Sequence, residues 1–318
     1  MEASPAARLE THPSRHGGPL APATLELSIV IVNYNTIQDL RLCLQSLEQN
    51  MTLTDVETLV VDNASSDGSA DMVAAGFPTV RLIRSPINGG YAYANNIALR
   101  QARGRLILLL NPDTVVGPGA VEALVADLDR HPGVAAVGPK LIRTDGSMDL
   151  ACRRSFPSPE VAFYRMVGLS RLFPRSRRFG RYNLTYLDPD QEADIDALAG
   201  ACMLIRRTAI EQVGLLDERF FMYGEDVDWA FRMRELGWRI RYNPRVTILH
   251  RKGESSRRNS RRATIAFYEA MHLFYAKHYR SHTFFVLDWI ILAAIYTRLG
   301  WALVRDALQT RDQKRVST

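Results

Sequence analysis

Three acidic positions stand where carboxylates can do chemistry rather than merely solvate the chain. Asp113 follows Asn111-Pro112 at the end of the apolar run "RLILLL", Asp62 ends the run "ETLVV", and Glu225-Asp226 follow "FFMYG". Pro112 stiffens the strand exit and restricts Asn111 to extended backbone, so Asp113 is presented as a fixed, acceptor-only group. One carboxylate is a poor cage for a hard cation, but Mg²⁺ and Mn²⁺ commonly take one or two and complete their shell with substrate phosphates. The alternative is a turn Asp that bonds its own backbone. Three other polar strand ends favour the ligand reading: Asn33-Tyr34-Asn35, Asp62-Asn63 and "SPINGGYAYANN". At Glu225-Asp226 the acids open a helix and can simply favour its dipole. The aromatic and Met residues just before them predict an apolar wall, whose burial would raise the Asp226 carboxyl toward a useful base.

Positioning these groups requires strands that end together. Between Leu27 and Gly138 the apolar runs "LSIVIV", "ETLVV", "VRLI" and "RLILLL" alternate with helical patterns over 36–47, 69–75, 91–102 and 118–130. Continuous apolar strands separated by helices predict an α/β fold with a mostly parallel sheet covered on both faces. The loops after such strands share the carboxyl edge, where ligands bind at the switch in strand order. Thr36 with Asp39 predicts an N-cap, and Thr208 with Glu211 a capping box opening a short helix that stops at Gly214. Residues 145–193 hold Pro157, Pro159, Pro174 and Pro189 among aromatic and basic residues and read as an irregular insert. Cys202 to Ile205 reads as a strand, and "GEDVDWAFRMRELG" as a helix stopped at Gly237.

Composition narrows the classes. The 318 residues are 47% hydrophobic and 23% charged, ordinary for a globular chain with a sizeable core. The net charge of +6 concentrates in two arginine clusters, 171–181 and 251–262, which suit anionic lipid or phosphorylated substrates. No recognised nucleic-acid module accompanies them, so no nucleic-acid partner is expected. Cys43, Cys152 and Cys202 lack metal-ligand spacing; Cys43 and Cys202 read as core thiols, which suits a reducing, cytoplasmic compartment. No G-x-G-x-x-G follows a strand, which excludes a dinucleotide fingerprint. Residues 1–26 are rich in Pro, Ala and Gly without an apolar h-region and read as a tail rather than a signal peptide.

The segments "SIVIVNYNTIQDLRLCLQSL", "VVDNASSDGS", "NGGYAYANNIAL", "LLLNPDTVV" and "GACMLIRRTAIEQVGLLDERFFMYGEDVDWAFRMRELGW", in this order, resemble the family-2 inverting glycosyltransferases of the GT-A fold. The resemblance is nearest to their rhamnosyltransferase-like branch and covers about 27–250. It implies a nucleotide-sugar-binding half over 27–140 and an acceptor-binding half over 141–280. It also implies a dTDP- or UDP-sugar donor, dTDP-rhamnose first, and a polyprenyl-diphosphate-linked or polysaccharide acceptor. Tyr34 would lie against the base, with Asn33 and Asn35 in the pocket wall and Asp62 bonding the base. Asn88, Gly89, Gly90 and Tyr91, with Asn95, would approach the diphosphate and sugar, the glycines allowing close backbone contact. Asn111-Pro112-Asp113 stands in place of the "DxD" metal motif with its first acid missing. His250 matches a downstream metal ligand of some relatives, or is a capped histidine. Asp226 would be the general base, with Glu225 and Trp229 on the acceptor side; Trp229 reads equally as a core aromatic. A sugar nucleotidyltransferase would carry a Gly-rich, Arg-containing loop where this chain has "NYNTIQDL". A binding protein of the same fold without activity would have no need of Asp62, Asp113 and Asp226 together.

Residues 281–318 form a separate question. The run 283–304 approaches spanning length, but Asp288 and Arg298 interrupt it. On a helical wheel Asp288, Arg298, Arg305 and Gln309 share an arc of roughly 100°, which predicts a helix lying in an anionic membrane interface, polar side to water. That would make the protein peripheral on the inner face of the cell membrane. A helix packed on the body or at a dimer contact is the alternative.

Overall fold

Each apolar run becomes a strand shielded on both faces. The computed structural model describes residues 20–251 and 260–308. In it β1 (Leu25–Asn33), β2 (Val56–Asp62), β3 (Arg81–Arg84) and β4 (Gly104–Leu110) run parallel. Helices α1 (Ile37–Asn50), α2 (Ser69–Gly76) and α3 (Tyr91–Leu99) follow the first three of them. Leu27, Ile29, Ile31, Leu59, Leu108 and Leu110 are excluded from solvent, as the unbroken apolar sequences require. The chain continues through β5 (Thr114–Val115), α4 (Ala120–Arg130) and β6 (Val134–Ile142). After the insert come β10 (Cys202–Arg206), α7 (Arg207–Val213), α8 (Glu225–Glu235) and β11 (Arg239–His250).

The described residues form a nine-stranded sheet in the order β3-β2-β1-β4-β10-β6-β11-β5, with β8 (Ala193–Ile195) beside β11. It is mostly parallel: only β10, β5 and β8 oppose the others. The order reverses between β1 and β4, so their carboxyl ends flank a crevice. One continuous sheet runs through both halves of the chain.

Local signals were realised unevenly. Thr36 does precede α1, yet its hydroxyl donates to Asn33 Oδ1 at 2.6 Å; the first-turn amide of Ile37 is met instead by Asp67 Oδ2 at 2.9 Å. The predicted Thr208–Glu211 capping box does not form, because α7 starts two residues earlier, directly from the strand at Arg206. Gly214 ends that helix at φ +80° as expected. The insert is less irregular than its composition suggests. It holds β7 (Arg153–Arg154), paired with β9 (Ala197–Leu198), and two short helices, α5 (Pro159–Met166) and α6 (Leu169–Leu172). Ser158 caps α5 at the Val161 amide, with Pro159 in the first turn.

Two helices complete the described chain, α9 (Ser260–His278) and α10 (Phe285–Leu308). The predicted polar arc of α10 is split: Arg298 and Arg305 are exposed, whereas Asp288 is half-buried. Asp288 accepts from Tyr275 at 2.9 Å and pairs with Arg280 at 3.2 Å, while Arg298 donates to the Met166 carbonyl. Asp288 is thus drawn toward the body, while Arg298 reaches one body carbonyl and stays exposed. Gln309, most of the tail at 1–26 and the basic segment 252–259 lie outside the described residues.

Candidate active site

The carboxyl edge is built from short polar side chains that first bond one another. Asn33, at the end of β1, is buried and donates to Asp62 Oδ1 at 3.2 Å and to Ser65 Oγ at 3.1 Å. Asp62 Oδ2 accepts from the Ser65 amide at 3.0 Å. Asn35 takes a left-handed φ of 54° and accepts from the Ser66 amide at 2.8 Å, an arrangement Asn tolerates well. Tyr34, between them in the chain, is half-buried. Asp62 is thus a fixed carboxylate, and its remaining lone pairs stay available to a ligand.

The glycine loop is held by Asn63, whose part the sequence did not disclose. Its side chain donates to Asn88 Oδ1 at 3.0 Å and to the Gly90 carbonyl at 3.2 Å, and accepts from the Gly89 amide at 3.2 Å. The close approaches expected of the glycines are made by the protein itself. A Cβ on Gly90, at φ +93°, would lie 2.3 Å from the Phe221 carbonyl oxygen, and one on Gly89 would strike the Tyr93 ring. The Phe221 carbonyl accepts from the Tyr91 amide at 2.8 Å, so "FFMYGED" is docked onto the start of α3.

The β4 tip is positioned from the far side of the sheet. β5 pairs with the end of β11, setting Thr114 opposite His250. His250 Nε2 then lies 3.3 Å from Asp113 Oδ1, and its Nδ1 3.1 Å from Asp149 Oδ2. Burial pulls the imidazole pKa down, but the two carboxylates outweigh it and lift it to about 9. His250 thus lies between the carboxylates of Asp113 and Asp149, which favour its protonated form. Among the described residues no three His, Cys, Asp or Glu side chains form a ready metal cage. What stands there is a partial set, in which Asn111 Oδ1 is buried without a hydrogen-bond partner and Asp113 Oδ1 has only its ion pair to His250. That donor set fits a hard cation whose shell is completed by a diphosphate, with His250 able to ligate only after losing its proton.

The two acids of α8 have different surroundings. Asp226 Oδ2 accepts from Arg154 at 2.6 Å and from the Gly200 amide at 2.9 Å, and its Oδ1 from the Val227 amide at 2.8 Å. Arg154, from the insert strand β7, has no sequence signal marking it for this role. The apolar wall predicted for Asp226 acts on Glu225 instead: burial, reinforced by the neighbouring Asp226, pushes its carboxyl up to about 8, and its Oε2 has no hydrogen-bond partner. Trp229 is fully buried and donates to the Gly214 carbonyl at 2.8 Å, so it is a core aromatic and lines no acceptor surface. Asp228 is turned away, held by Arg232, Lys277 and His278.

Tyr91 shows that these pieces converge. Its hydroxyl donates to the Gly200 carbonyl at 2.8 Å. Burial, then the nearby carboxylates of Glu225, Asp226 and Asp113, push its phenol well above the ordinary value. Asn95 donates to the Tyr91 carbonyl at 2.9 Å and leaves its own Oδ1 unpartnered. Buried side-chain oxygens of Asn95, Asn111 and Glu225 thus lack hydrogen bonds, and Asp113 Oδ1 has only its ion pair to His250. Buried polar groups are normally satisfied, so such a set marks a place for a ligand rich in donors or cationic charge.

Residues 28–214 match glycosyl transferase family 2. Over 302 residues, 91% of this chain and 96% of the relative, the sequence is 30% identical to an N-acetylglucosaminyl-diphospho-decaprenol L-rhamnosyltransferase of Mycobacterium tuberculosis. It is 28% identical over 213 residues to the low-salt glycan biosynthesis hexosyltransferase Agl10 of Haloferax volcanii, covering 66% of this chain and 62% of that protein. Among solved structures it is similar to the mannosyltransferase PcManGT from Pyrobaculum calidifontis in complex with GDP-Man and Mn²⁺, with TM-score 0.55, 18% identity and coverage of 95% and 82%. It is also similar to S. aureus TarS 1–349 in complex with UDP, with TM-score 0.54, 16% identity and coverage of 86% and 71%. At these identities the structural likeness is one of fold.

Proposed function

Because this chain belongs to glycosyl transferase family 2 and has the GT-A fold, we propose that it is an inverting rhamnosyltransferase. The donor is dTDP-rhamnose and the acceptor a polyprenyl-diphosphate-linked saccharide at the cytoplasmic face of the membrane. The observation that carries this reading is the set of buried oxygens on Asn95, Asn111 and Glu225 that lack hydrogen bonds at the carboxyl edge, with Asp113 and Asp226 beside them. A sugar offers several hydroxyl donors, and a divalent cation on a diphosphate supplies positive charge. The choice of rhamnose and of a lipid-linked acceptor is supported by the mycobacterial relative, whose name specifies both.

The residues divide the work. Tyr34 and Asp62 receive the base, with Asn33 and Asn35 shaping the wall. The loop Asn88 to Tyr91, with Asn95, orients the diphosphate and sugar. Asn111, Asp113 and deprotonated His250 would hold Mg²⁺ or Mn²⁺; when bound, the ion offsets charge on the leaving diphosphate. Asp226, held by Arg154 and two backbone amides, takes the acceptor hydroxyl proton. As that oxygen bonds to the anomeric carbon, the bond from this carbon to the diphosphate oxygen breaks and the electron pair leaves with the nucleoside diphosphate. Attack opposite the leaving group inverts configuration without an enzyme-bound intermediate. Glu225, largely an acid at neutral pH, presents an O–H to a sugar oxygen.

Thermal melting against a panel of nucleotide sugars, with and without Mn²⁺, followed by transfer to a polyprenyl-diphosphate GlcNAc, tests the reading. The melting point should rise most with dTDP-rhamnose plus Mn²⁺, since a ligand bound only to the folded state stabilises it by mass action. Asp113→Ala should lose the Mn²⁺-dependent part. Tighter binding of a GDP-sugar, or full transfer in excess EDTA, overturns it.

A further inference from the structure

The C-terminal helix α10 is apolar enough and long enough to cross a bilayer, with mean hydropathy 1.4, yet only 6% of its apolar window is buried. Asp288, Ile291, Ile295, Leu299 and Ala302 fall on one helical face and are partly or fully buried, and Asp288 bonds Tyr275 of α9. The outward side carries Trp289, Ile290, Trp301 and Val304, all exposed, with Tyr296 at its edge bonded to His272 of α9; Trp289 keeps 73% of its surface and Trp301 61%. The two charges that interrupt the apolar run sit on bonds to the body, and the exposed Arg305 lies over the Trp301 ring, where its cation can reach a headgroup phosphate. Crossing the bilayer would break these bonds and carry Asp288 and Arg298 into hydrocarbon. Lying flat keeps them.

The apolar surface does not stop at α10. Arg298 bonds the carbonyl of Met166, the last residue of α5, and so ties α10 to the corner where α5 passes into α6. That corner exposes Phe163, Val167, Leu172 and Phe173, and Leu172 keeps 69% of its surface. Immediately beyond it, Arg171, Arg175, Arg177 and Arg181 are exposed and make no ion pair among the described residues. Apolar side chains beside free guanidinium groups match acyl chains beneath anionic headgroups, and Trp and Tyr favour that boundary. A second copy of this chain is the poorer occupant, because a self-contact would bring two sets of unpaired arginines together.

We propose that the outward face of α10 and the α5–α6 corner form one joint membrane-docking surface, which seats the protein flat on an anionic bilayer. The proposal deepens the membrane location given above and rests on it only in where the acceptor is carried. The insert that supplies Arg154 to Asp226 would then also supply half of the lipid contact, placing the acceptor side of the crevice next to the headgroups.

The full chain, purified in mild detergent, is mixed with vesicles of phosphatidylcholine alone or with phosphatidylglycerol and sedimented at low and high salt. Wild type should partition at least tenfold better onto the anionic vesicles, and salt should erase the difference. Leu172→Glu with Phe173→Glu, which leaves α10 untouched, should weaken partitioning at least tenfold, as should Trp289→Glu with Trp301→Glu. Arg171→Gln, Arg175→Gln and Arg177→Gln together should remove only the anionic preference. Melting temperatures in detergent check that each variant is folded. Wild-type partitioning by the Leu172/Phe173 variant overturns the joint surface. So does a stable dimer that ignores vesicles and is split by the Trp289/Trp301 variant. Sugar transfer in detergent is read separately: a protein that docks on vesicles but transfers no sugar refutes the enzymatic assignment and leaves the docking surface standing.

Discussion

Glu225 and Asp226 are adjacent in sequence but differ in what faces them. Asp226 meets a guanidinium and two amides, whereas Glu225 has a buried, unpartnered Oε2 and a carboxyl pushed up to about 8 by burial and by Asp226. The roles assigned to them predict opposite responses to the same chemical change. Asp226→Asn keeps shape but accepts no proton at neutral pH, so transfer should fall by at least ~10²-fold with donor affinity nearly unchanged. Glu225→Gln mimics the acid form and should keep transfer within about tenfold, set against the same general-base magnitude. Steady-state transfer with donor binding measured in parallel decides this; a dead Glu225→Gln beside an active Asp226→Asn would exchange the roles. The raised pKa has its own consequence for stability. The folded protein holds the Glu225 proton from the ordinary 4.5 up to about 8. Its stabilising contribution is therefore complete below about 4.5 and is lost as pH rises through about 8. Glu225→Gln has no such loss, so its stability relative to wild type should grow between those limits, by at most roughly 1.4 kcal/mol per pH unit. Urea melts at pH 5, 7 and 9 measure the gap, and a gap that narrows as pH rises would contradict the buried-acid assignment.

Elements explain why some of this could be read from the sequence and some could not. The strand runs and their polar ends were legible because strand period, unbroken apolar composition and turn chemistry are all local properties. The same holds for Asp113 at a strand tip and for Gly214 and Gly237 as helix stops. What was not legible depends on pairing across long separations. β10 inserts antiparallel between β4 and β6, and β11 returns to β5 to bring His250 against Asp113. Arg154 reaches Asp226 from 72 positions away through a two-residue strand. Thr36 and Thr208 had the right chemistry for caps, but a distant Asp67 and an early helix start took those places. The glycine loop shows the same contrast. Its flexibility was legible, whereas the carbonyl that demands it, on Phe221, comes from another element. Gly90→Ala should therefore cost on the order of 2 kcal/mol or more, from a left-handed φ and a backbone clash, and weaken donor binding with it. Gly76→Ala, at the end of α2 with open space around its Cβ, should change stability by no more than about 1 kcal/mol. Chemical denaturation of both variants gives the comparison; equal effects would mean that the Phe221 contact does not shape the loop.

At the scale of the whole molecule, the catalytic edge and the apolar surface are joined by α9. Asp228 on α8 is fully buried and holds Lys277 and His278 at 2.7 Å each, while Lys277 also reaches Asp217 at 2.7 Å. These pairs fix the C-terminal end of α9 to the helix that carries Asp226, and α10 leaves from that end. The sheet, its helices and α9 already enclose the core, and Ile295 is the single buried hydrophobic that α10 adds among its described residues. Removing residues 283–318 should therefore leave the catalytic body folded, with a melting temperature within roughly 5 °C, since few buried apolar contacts are lost. Donor-induced stabilisation and transfer to a short, water-soluble acceptor should stay within a few-fold of wild type. Transfer to a long-chain acceptor embedded in vesicles should fall at least tenfold, because the truncated chain no longer reaches a high local concentration at the surface where the acceptor is held. Both rates, measured on one preparation, separate the two contributions. Equal loss on both acceptors would mean that α10 supports the crevice itself through α9 and Asp228, and that the apolar face is structural rather than a place of docking.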